Sequence, residues 1–177
     1  MRYYLDTEFN EFGGDLISLA LAGEDGRELY VATDCENPGP WVKENVIPIL
    51  RAGDAHPVMI RPDEFGRAIA WFLNDQKLPT IIADWPDDIR YFCQALITGP
   101  GEMVNIQRLQ FQMLRMDAYP TELARAVQHN ALWDARALKA LFIKPPIAEL
   151  KLPPGVHQRS PQRSGDEQAE GLHRMWI

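Results

Sequence analysis

The chain has 177 residues, of which 46% are hydrophobic, and a formal net charge of −7. This length and composition fit one globular domain with a proper core and exclude a disordered chain. The negative charge counts against broad electrostatic binding of a duplex, but it is compatible with an enzyme that holds phosphate through metal ions, because the acids are then ligands.

The first part of the sequence predicts an antiparallel meander of three strands. The β-prone residues 3–5 lead into two acids, Asp6 and Glu8, at the end of the first strand. Residues 16–22 are nearly all apolar, as in a strand that is buried on both faces. Residues 28–32 form the third strand, and glycine-containing turns separate the three. Short loops between strands indicate antiparallel pairing.

Further along the chain, helices alternate with strands that run parallel to the first. Residues 80–83 are a short β-branched run that follows a helix, which predicts a fourth, parallel strand. Residues 103–116 fit a strand with a bulge, and a helix is also open there. Helices are predicted over residues 41–50, 62–73, 86–97 and 134–142, and a helix or helical turn is predicted to begin at residue 120. The predicted fold class is α/β, with a mixed five-stranded sheet and helices on both faces.

The composition changes near residue 150. Residues 1–148 are predicted to form the domain, and residues 149–177 to form a mobile tail rich in Pro, Arg and Ser. The tail ends in apolar residues that include Trp176 and Ile177. Three alternatives stay open for them: docking on the domain, docking on a second copy in a homodimer, or a frayed end.

The sequence also predicts a cytoplasmic protein. No apolar run reaches the length of a membrane span, and the first residues lack the features of a signal peptide. Cys35 and Cys93 are far apart and in no metal-binding spacing, so free thiols in a reducing compartment are expected.

Acidic residues mark a candidate site at the carboxyl ends of the parallel strands. Asp6 and Glu8 are two residues apart and therefore point to the same face of their strand. Taken alone, they would be explained by an acidic, solvated strand end. However, Asp88 follows the fourth strand and Asp134 opens the last long helix, so several carboxylates converge on one edge. Such a set suits a pair of Mg²⁺ or Mn²⁺ ions about 4 Å apart that hydrolyse a phosphodiester.

The site also needs a base and a surface for nucleotides. His129, five residues before Asp134, is the candidate base because imidazole titrates near neutral pH. Trp85, in the loop beside Asp88, is the candidate for stacking on a base. The other tryptophans considered, Trp41, Trp71 and Trp133, are predicted to be core residues.

These motifs resemble those of the DEDD 3′-to-5′ exonucleases, in the subgroup with a histidine in the last motif (DEDDh). The matching residues are Asp6-x-Glu8, Asp88-x-x-Tyr91-Phe92 and His129-x4-Asp134, and their order and spacing match over residues 1 to about 143. The chain is most similar to the small bacterial exoribonuclease branch. The resemblance implies a ribonuclease H-like fold, which agrees with the predicted strand order.

The resemblance implies a role for each matching residue. Asp6 would bridge both metals, Glu8 and Asp134 would bind the first, and Asp88 would hold the second directly or through water. His129 would take the proton from the attacking water. The backbone at Thr7 and the ring of Phe9 would lie near the terminal nucleotide and its 3′-OH.

The second motif departs from the family pattern. An aromatic residue often precedes its acid, whereas residues 83–88 of this chain read Ala-Asp-Trp-Pro-Asp-Asp. Asp88 fits best because Tyr91 and Phe92 follow at the expected offsets. Asp84 is the reserve choice, and Asp87 is expected to be a helix-start acid.

The sequence thus predicts an exoribonuclease that acts on single-stranded RNA or a 3′ overhang and releases nucleoside monophosphates. A DNA exonuclease with the same chemistry, acting on single-stranded DNA, is the main alternative. A metal-dependent binding module that no longer cuts is the third hypothesis, although all four acids and the histidine are present.

Overall fold

The computed structural model describes residues 1–106, 108–114 and 127–143, and the first strand lies near the middle of their main sheet. Strands β1 (Arg2–Phe9), β2 (Leu16–Gly23) and β3 (Glu28–Ala32) form the predicted antiparallel meander. In β2 every residue from Ile17 onwards is buried, because strands flank it on both sides and helices or loops cover both faces. The predicted meander is confirmed.

The remaining elements complete a mixed sheet. In chain order they are α1 (Pro40–Asn45), a 3₁₀ helix (Ile47–Ile49), β4 (Val58–Met59), a second 3₁₀ helix (Pro62–Glu64), α2 (Phe65–Leu73), β5 (Thr80–Ala83), α3 (Pro86–Leu96), β6 (Ile97–Gly99), β7 (Glu102–Met103), β8 (Gln110–Met113) and α4 (Ala131–Ile143). The six-stranded sheet has the order β4-β3-β2-β1-β5-β8, and β6 pairs with β7 in a separate hairpin. Strand β5 runs parallel to both β1 and β8.

The predicted fold class is confirmed, with one strand more than expected in the main sheet. The mixed sheet with its helices is compatible with a ribonuclease H-like fold. The extra strand is β4, whose two residues pair with β3 and form the edge of the sheet. Two exposed residues leave no periodic signal, so the sequence does not indicate a strand there. Two alternatives, a strand and a helix, were predicted for residues 103–116, and β8 confirms the strand.

Two helices differ from their predicted bounds. The helix predicted over residues 41–50 ends at Asn45 and continues as a 3₁₀ turn that contains Pro48, whose missing N–H cannot sustain an α-helix. Helix α4 begins three residues earlier than predicted, at Ala131. The predicted helix from residue 120 and the predicted tail over residues 149–177 lie outside the described residues.

The core has one layer on each face of the sheet. Tyr3 and Leu5 of β1 pack with apolar residues of α2 and α3, whereas Tyr4 packs with α4 on the other face. This division follows from the alternation of side chains along a strand. Gly66 lets α2 approach α3 closely, because a Cβ at that position would collide with the carbonyl oxygen of Ala95. The same alternation sets which face each acid of β1 lies on.

Two of the predicted core tryptophans are not in the core. Trp41 is half exposed and Trp71 is 73% exposed, so that prediction was wrong for both, whereas Trp133 is buried. Trp71 lies next to the buried Phe72 on α2 but belongs to its outer face. Cys35 and Cys93 are free thiols, as predicted. In the described part of the chain, none of the helices is both long and apolar enough to cross a membrane.

Candidate metal centre

Strand β1 places Asp6 and Glu8 on the face of the sheet that α4 covers. Tyr4, two residues before Asp6, packs against α4 on that face, and the alternation of the strand carries both acids to the same side. Their partners on β2 are small: Asp6 lies opposite Ala20 and Glu8 opposite Ser18. Neither strand partner adds a charge or a bulky side chain beside the two acids.

The first turn of α4 is anchored by Asn130, which the sequence reasoning did not single out. The Asn130 side chain is fully buried, and its Oδ1 accepts a hydrogen bond from the Trp133 N–H at 3.2 Å, as at a helix N-cap. Its Nδ2 donates to the carbonyl oxygens of Ile49, at 2.8 Å, and Leu50, at 3.2 Å. Asn130 therefore fixes the start of α4 against the first 3₁₀ helix.

His129 precedes this cap in a left-handed backbone conformation. Its φ is +66°, a region that few residues other than glycine occupy. The His129 N–H donates to Asp134 Oδ2 at 2.9 Å, so the turn positions the acid as well as the imidazole. The His129 ring meets the ring of the half-exposed Trp41 edge-on, with the centroids 4.9 Å apart. Burial lowers the pKa of His129, which keeps the imidazole neutral at physiological pH.

The first turn of α3 holds Asp88 against β1. Asp88 is 2% exposed, and its Oδ1 accepts hydrogen bonds from the Thr7 N–H at 3.0 Å and the Thr7 hydroxyl at 2.7 Å. Its other oxygen, Oδ2, is buried and has no hydrogen-bond partner among the described residues. Burial raises the pKa of Asp88 to about 7, with the two Thr7 hydrogen bonds opposing that rise.

The other two acids of the second motif, Asp84 and Asp87, differ in the residues that they contact. Asp87 forms an ion pair with Arg90, at 2.7 Å, and accepts a hydrogen bond from Trp85 Nε1 at 3.3 Å. It therefore behaves as the helix-start acid that the sequence predicted. Asp84 instead lies close enough to Asp6 to raise the pKa of that carboxyl.

The acids form two groups that share Asp6. One group contains Asp6, Glu8 and Asp134, and the other contains Asp6, Asp84 and Asp88; within each, one oxygen of every carboxylate lies within 4.8 Å of the others. The structure thus brings together all four predicted ligands, and it adds Asp84 beside Asp88. Either group has the hard oxygen donors that suit a divalent cation.

Electrostatics show how strongly these carboxylates oppose one another. The pKa of Asp6 is raised well above its ordinary value by burial first and then by the charges of Asp88 and Asp134. Burial and the charge of Asp134 raise the pKa of Glu8 to about 8. A divalent cation bound between the acids would reverse this effect, because it stabilises their ionised forms.

Each predicted substrate-binding residue is next to one of these acids in the sequence. Thr7 is buried, and its N–H donates a hydrogen bond to Asp88 Oδ1. Phe9 stacks on Tyr91, with ring centroids 4.6 Å apart and an interplanar angle of 27°. Trp85 is 46% exposed, so part of its ring is accessible beside the second motif.

The raised pKa of Glu8 predicts how pH affects the stability of the metal-free chain. A carboxyl whose folded pKa is about 8, against an ordinary value of 4.5, is destabilising once it ionises. Stability should therefore fall as pH rises from about 4.5 to 8, and the melting temperature without metal should be lower at pH 8.5 than at pH 5.5. Glu8→Gln should flatten this dependence, which scanning calorimetry in the presence of a chelator would measure. A melting temperature that rises over this range would contradict the burial of charge at the site.

Added metal should restore the lost stability. A ligand at 100 times its dissociation constant contributes about 2.7 kcal/mol, and each kcal/mol is worth about 2–4 °C in a domain of this size. Saturating Mn²⁺ at pH 8.5 should therefore raise the melting temperature by about 5–10 °C. The increase should be smaller at pH 5.5, where protons compete for the carboxylates.

Comparison with known proteins gives a partial match. No family model matches the chain. Over 55 residues it is 47% identical to two curated proteins named 3′-5′ exoribonuclease, from two strains of Mycobacterium tuberculosis. The match covers 28% of this chain and 33% of each relative, so the chain spans about a third of the length of the curated relatives it matches. Part of this chain is therefore similar to 3′-5′ exoribonucleases.

Proposed function

We propose that this chain is a divalent-metal-dependent 3′-to-5′ exoribonuclease of the DEDDh type. It would hydrolyse RNA from a free 3′ end and release nucleoside 5′-monophosphates. The observation that carries the proposal is the pair of carboxylate groups that share Asp6. The similarity to proteins named 3′-5′ exoribonuclease supports the same reaction.

The donor set fits two cations. Asp6, Glu8 and Asp134 would hold one, and Asp6 with Asp88 would hold the other. The buried and unpartnered Oδ2 of Asp88 supports this fit, because an unsatisfied buried oxygen is costly unless a ligand reaches it. When bound, two Mg²⁺ or Mn²⁺ ions would neutralise charge on the phosphodiester and lower the pKa of the attacking water.

The chain's own residues supply the proton acceptor. Burial keeps the imidazole of His129 neutral, so it can accept the proton that the water loses. The hydrogen bond from the His129 N–H to Asp134 couples the position of the base to that of a metal ligand. Asn130 holds this turn in place through its bonds to Ile49 and Leu50.

The surroundings favour a single strand as substrate. The half-exposed Trp85 and the partly exposed Phe9, which is backed by Tyr91, offer aromatic surface to unstacked bases. The net charge of −7 provides little general attraction for a duplex, so binding would depend on the cations and on stacking. We therefore propose single-stranded RNA or a 3′ overhang as the substrate. A cytoplasmic location and a homodimer remain predictions from the sequence.

The test is a turnover assay of the whole chain with Mn²⁺ or Mg²⁺. The substrates are an RNA oligomer with a free 3′-OH, the same RNA with a blocked 3′ end, and a DNA oligomer of matched sequence. We expect 5′-monophosphates to appear one at a time from the free RNA, and no products from the blocked RNA or with a chelator. Faster digestion of the DNA would favour the DNA exonuclease, and no cleavage of any oligomer would favour the binding module.

Asp63→Asn is a suitable control for this assay. The Asp63 side chain is 66% exposed and belongs to neither carboxylate group. Its surface ion pairs with Arg61 and Arg67 are of a kind that contributes little to stability. This variant should therefore cleave RNA at the native rate.

A further inference from the structure

Asp84 directly follows β5, the parallel neighbour of β1, and its carboxylate lies near that of Asp6. Tyr4 of β1 pairs with Ile82 of β5, and both side chains lie on the face covered by α4. Asp6 follows Tyr4 by two residues, and Asp84 follows Ile82 by two residues. Asp6 is in β1, on the same face as Tyr4, and Asp84 directly follows the last residue of β5. Asp84 contributes a carboxylate oxygen to the group that also contains Asp6 and Asp88.

Asp88 completes this group from the adjacent helix. Trp85 occupies the N-cap position of α3 and Asp88 lies in its first turn, so three residues separate Asp84 from Asp88. Asp88 is 98% buried, and its Oδ2 has no hydrogen-bond partner among the described residues, although Thr7 satisfies Oδ1. A buried carboxylate oxygen without a partner is costly, so a cation held within this group would stabilise it.

The number of carboxylates has a consequence for metal binding. The two groups together contain five acids, because only Asp6 is shared. Mg²⁺ in phosphoryl-transfer sites is usually held by one or two carboxylates and by the phosphates of the substrate. In this protein three carboxylates, those of Asp6, Asp84 and Asp88, are available to the second cation. Three protein ligands would let a cation bind there without a substrate phosphate.

We propose that Asp84 is a ligand of the second cation, together with Asp6 and Asp88, and that this site therefore fills before RNA binds. Asp84 then acts with Asp88 instead of replacing it in the second motif. The inference rests on the proposed function in treating the cluster as a cation centre. Its test counts metal ions and does not depend on cleavage.

The experiment is a titration of the metal-free whole chain with MnCl₂ in the absence of RNA. Isothermal calorimetry and the electron paramagnetic resonance signal of free Mn²⁺ both give the number of ions bound. We expect about two ions for the native chain, as the two carboxylate groups imply. Asp84→Asn should lose the second ion or bind it at least about tenfold more weakly, as removal of one charged ligand predicts.

Matched variants show whether loss of the second ion is specific to Asp84 or follows from the removal of any nearby negative charge. Asp87→Asn removes the same charge three residues away, and since Asp87 pairs with Arg90 and lies outside both groups, it should still bind two ions. Asp84→Ala should reproduce the loss seen in Asp84→Asn, with melting curves of both metal-free variants showing a cooperative transition. Asp88→Asn should also lose the second ion, because it belongs to the same group.

The outcomes distinguish this inference from the proposed function. One bound ion in the native chain without RNA, or two equally tight ions in both Asp84 variants, would overturn the inference even if the chain cleaves RNA. Two ions in the native chain and one in the Asp84 variants would support it. If that pattern were found without cleavage of any oligomer, the exoribonuclease proposal would fail while the Asp84 site stood.

Discussion

Asp6→Asn should lower the turnover number for RNA by more than about 10³-fold, since removal of even one group that stabilises the transition state can cost about 10²–10³. Asp6 is the carboxylate shared by the two groups, so its replacement removes a ligand from both cations at once. Glu8→Gln and Asp134→Asn each affect one group and should also inactivate the chain, since the first cation is then incompletely held. Single-turnover cleavage of an RNA with a free 3′-OH would measure these losses directly.

Loss of activity in Asp6→Asn should occur without loss of the fold. Burial and the neighbouring acids raise the pKa of Asp6, so its ionised form is destabilising in the metal-free chain above that raised pKa. An amide removes this repulsion, and the melting temperature without metal should hold or rise at pH 8.5. With Mn²⁺, the variant should lose most of the stabilisation that the native chain gains. Near-native turnover in Asp6→Asn would refute a centre organised on two cations.

Local pattern was sufficient to predict the acids on β1. Asp6 and Glu8 follow an unbroken β-prone run, so the two-residue period alone determines that they share a face. Asp88 was recognised from its offset to Tyr91 and Phe92, and in the structure it is the buried acid of its motif. The order of parallel and antiparallel strands followed from the lengths of the connections.

Other parts of the site depend on contacts that leave no local signal. Trp41 lies against His129, 88 residues away along the chain, and nothing in its own helix distinguishes it from a core tryptophan. The same holds for Asn130, whose side chain binds carbonyl oxygens more than 70 residues earlier. The sequence offered Asp84 as an alternative to Asp88, and only the three-dimensional arrangement shows that both lie near Asp6.

The conformation of His129 determines how its role should be tested. At a φ of +66°, alanine would add backbone strain to the loss of the imidazole. Asparagine tolerates this left-handed conformation better, and it keeps the backbone N–H that donates to Asp134. His129→Asn therefore removes the base while preserving the turn that positions the metal ligand.

His129→Asn should lower the maximal rate by about 10²–10⁴-fold, the usual contribution of general-base catalysis. The number of bound Mn²⁺ ions should be unchanged, because every carboxylate remains. In the native chain the rate should rise with pH as His129 loses its proton. That rise should be centred below the ordinary histidine pKa of 6.5, since burial and bound cations both disfavour the protonated ring.

The pH–rate profile of His129→Asn separates a base from a residue that only shapes the site. If His129 takes the proton from water, the low-pH limb should be absent in the variant and present in His56→Asn, a control in which an exposed histidine is replaced. If the water instead loses its proton to solvent under the influence of the cations, both variants should keep the native limb. An unaltered limb in His129→Asn would therefore reject the general-base role and assign the activation of water to the metal centre alone.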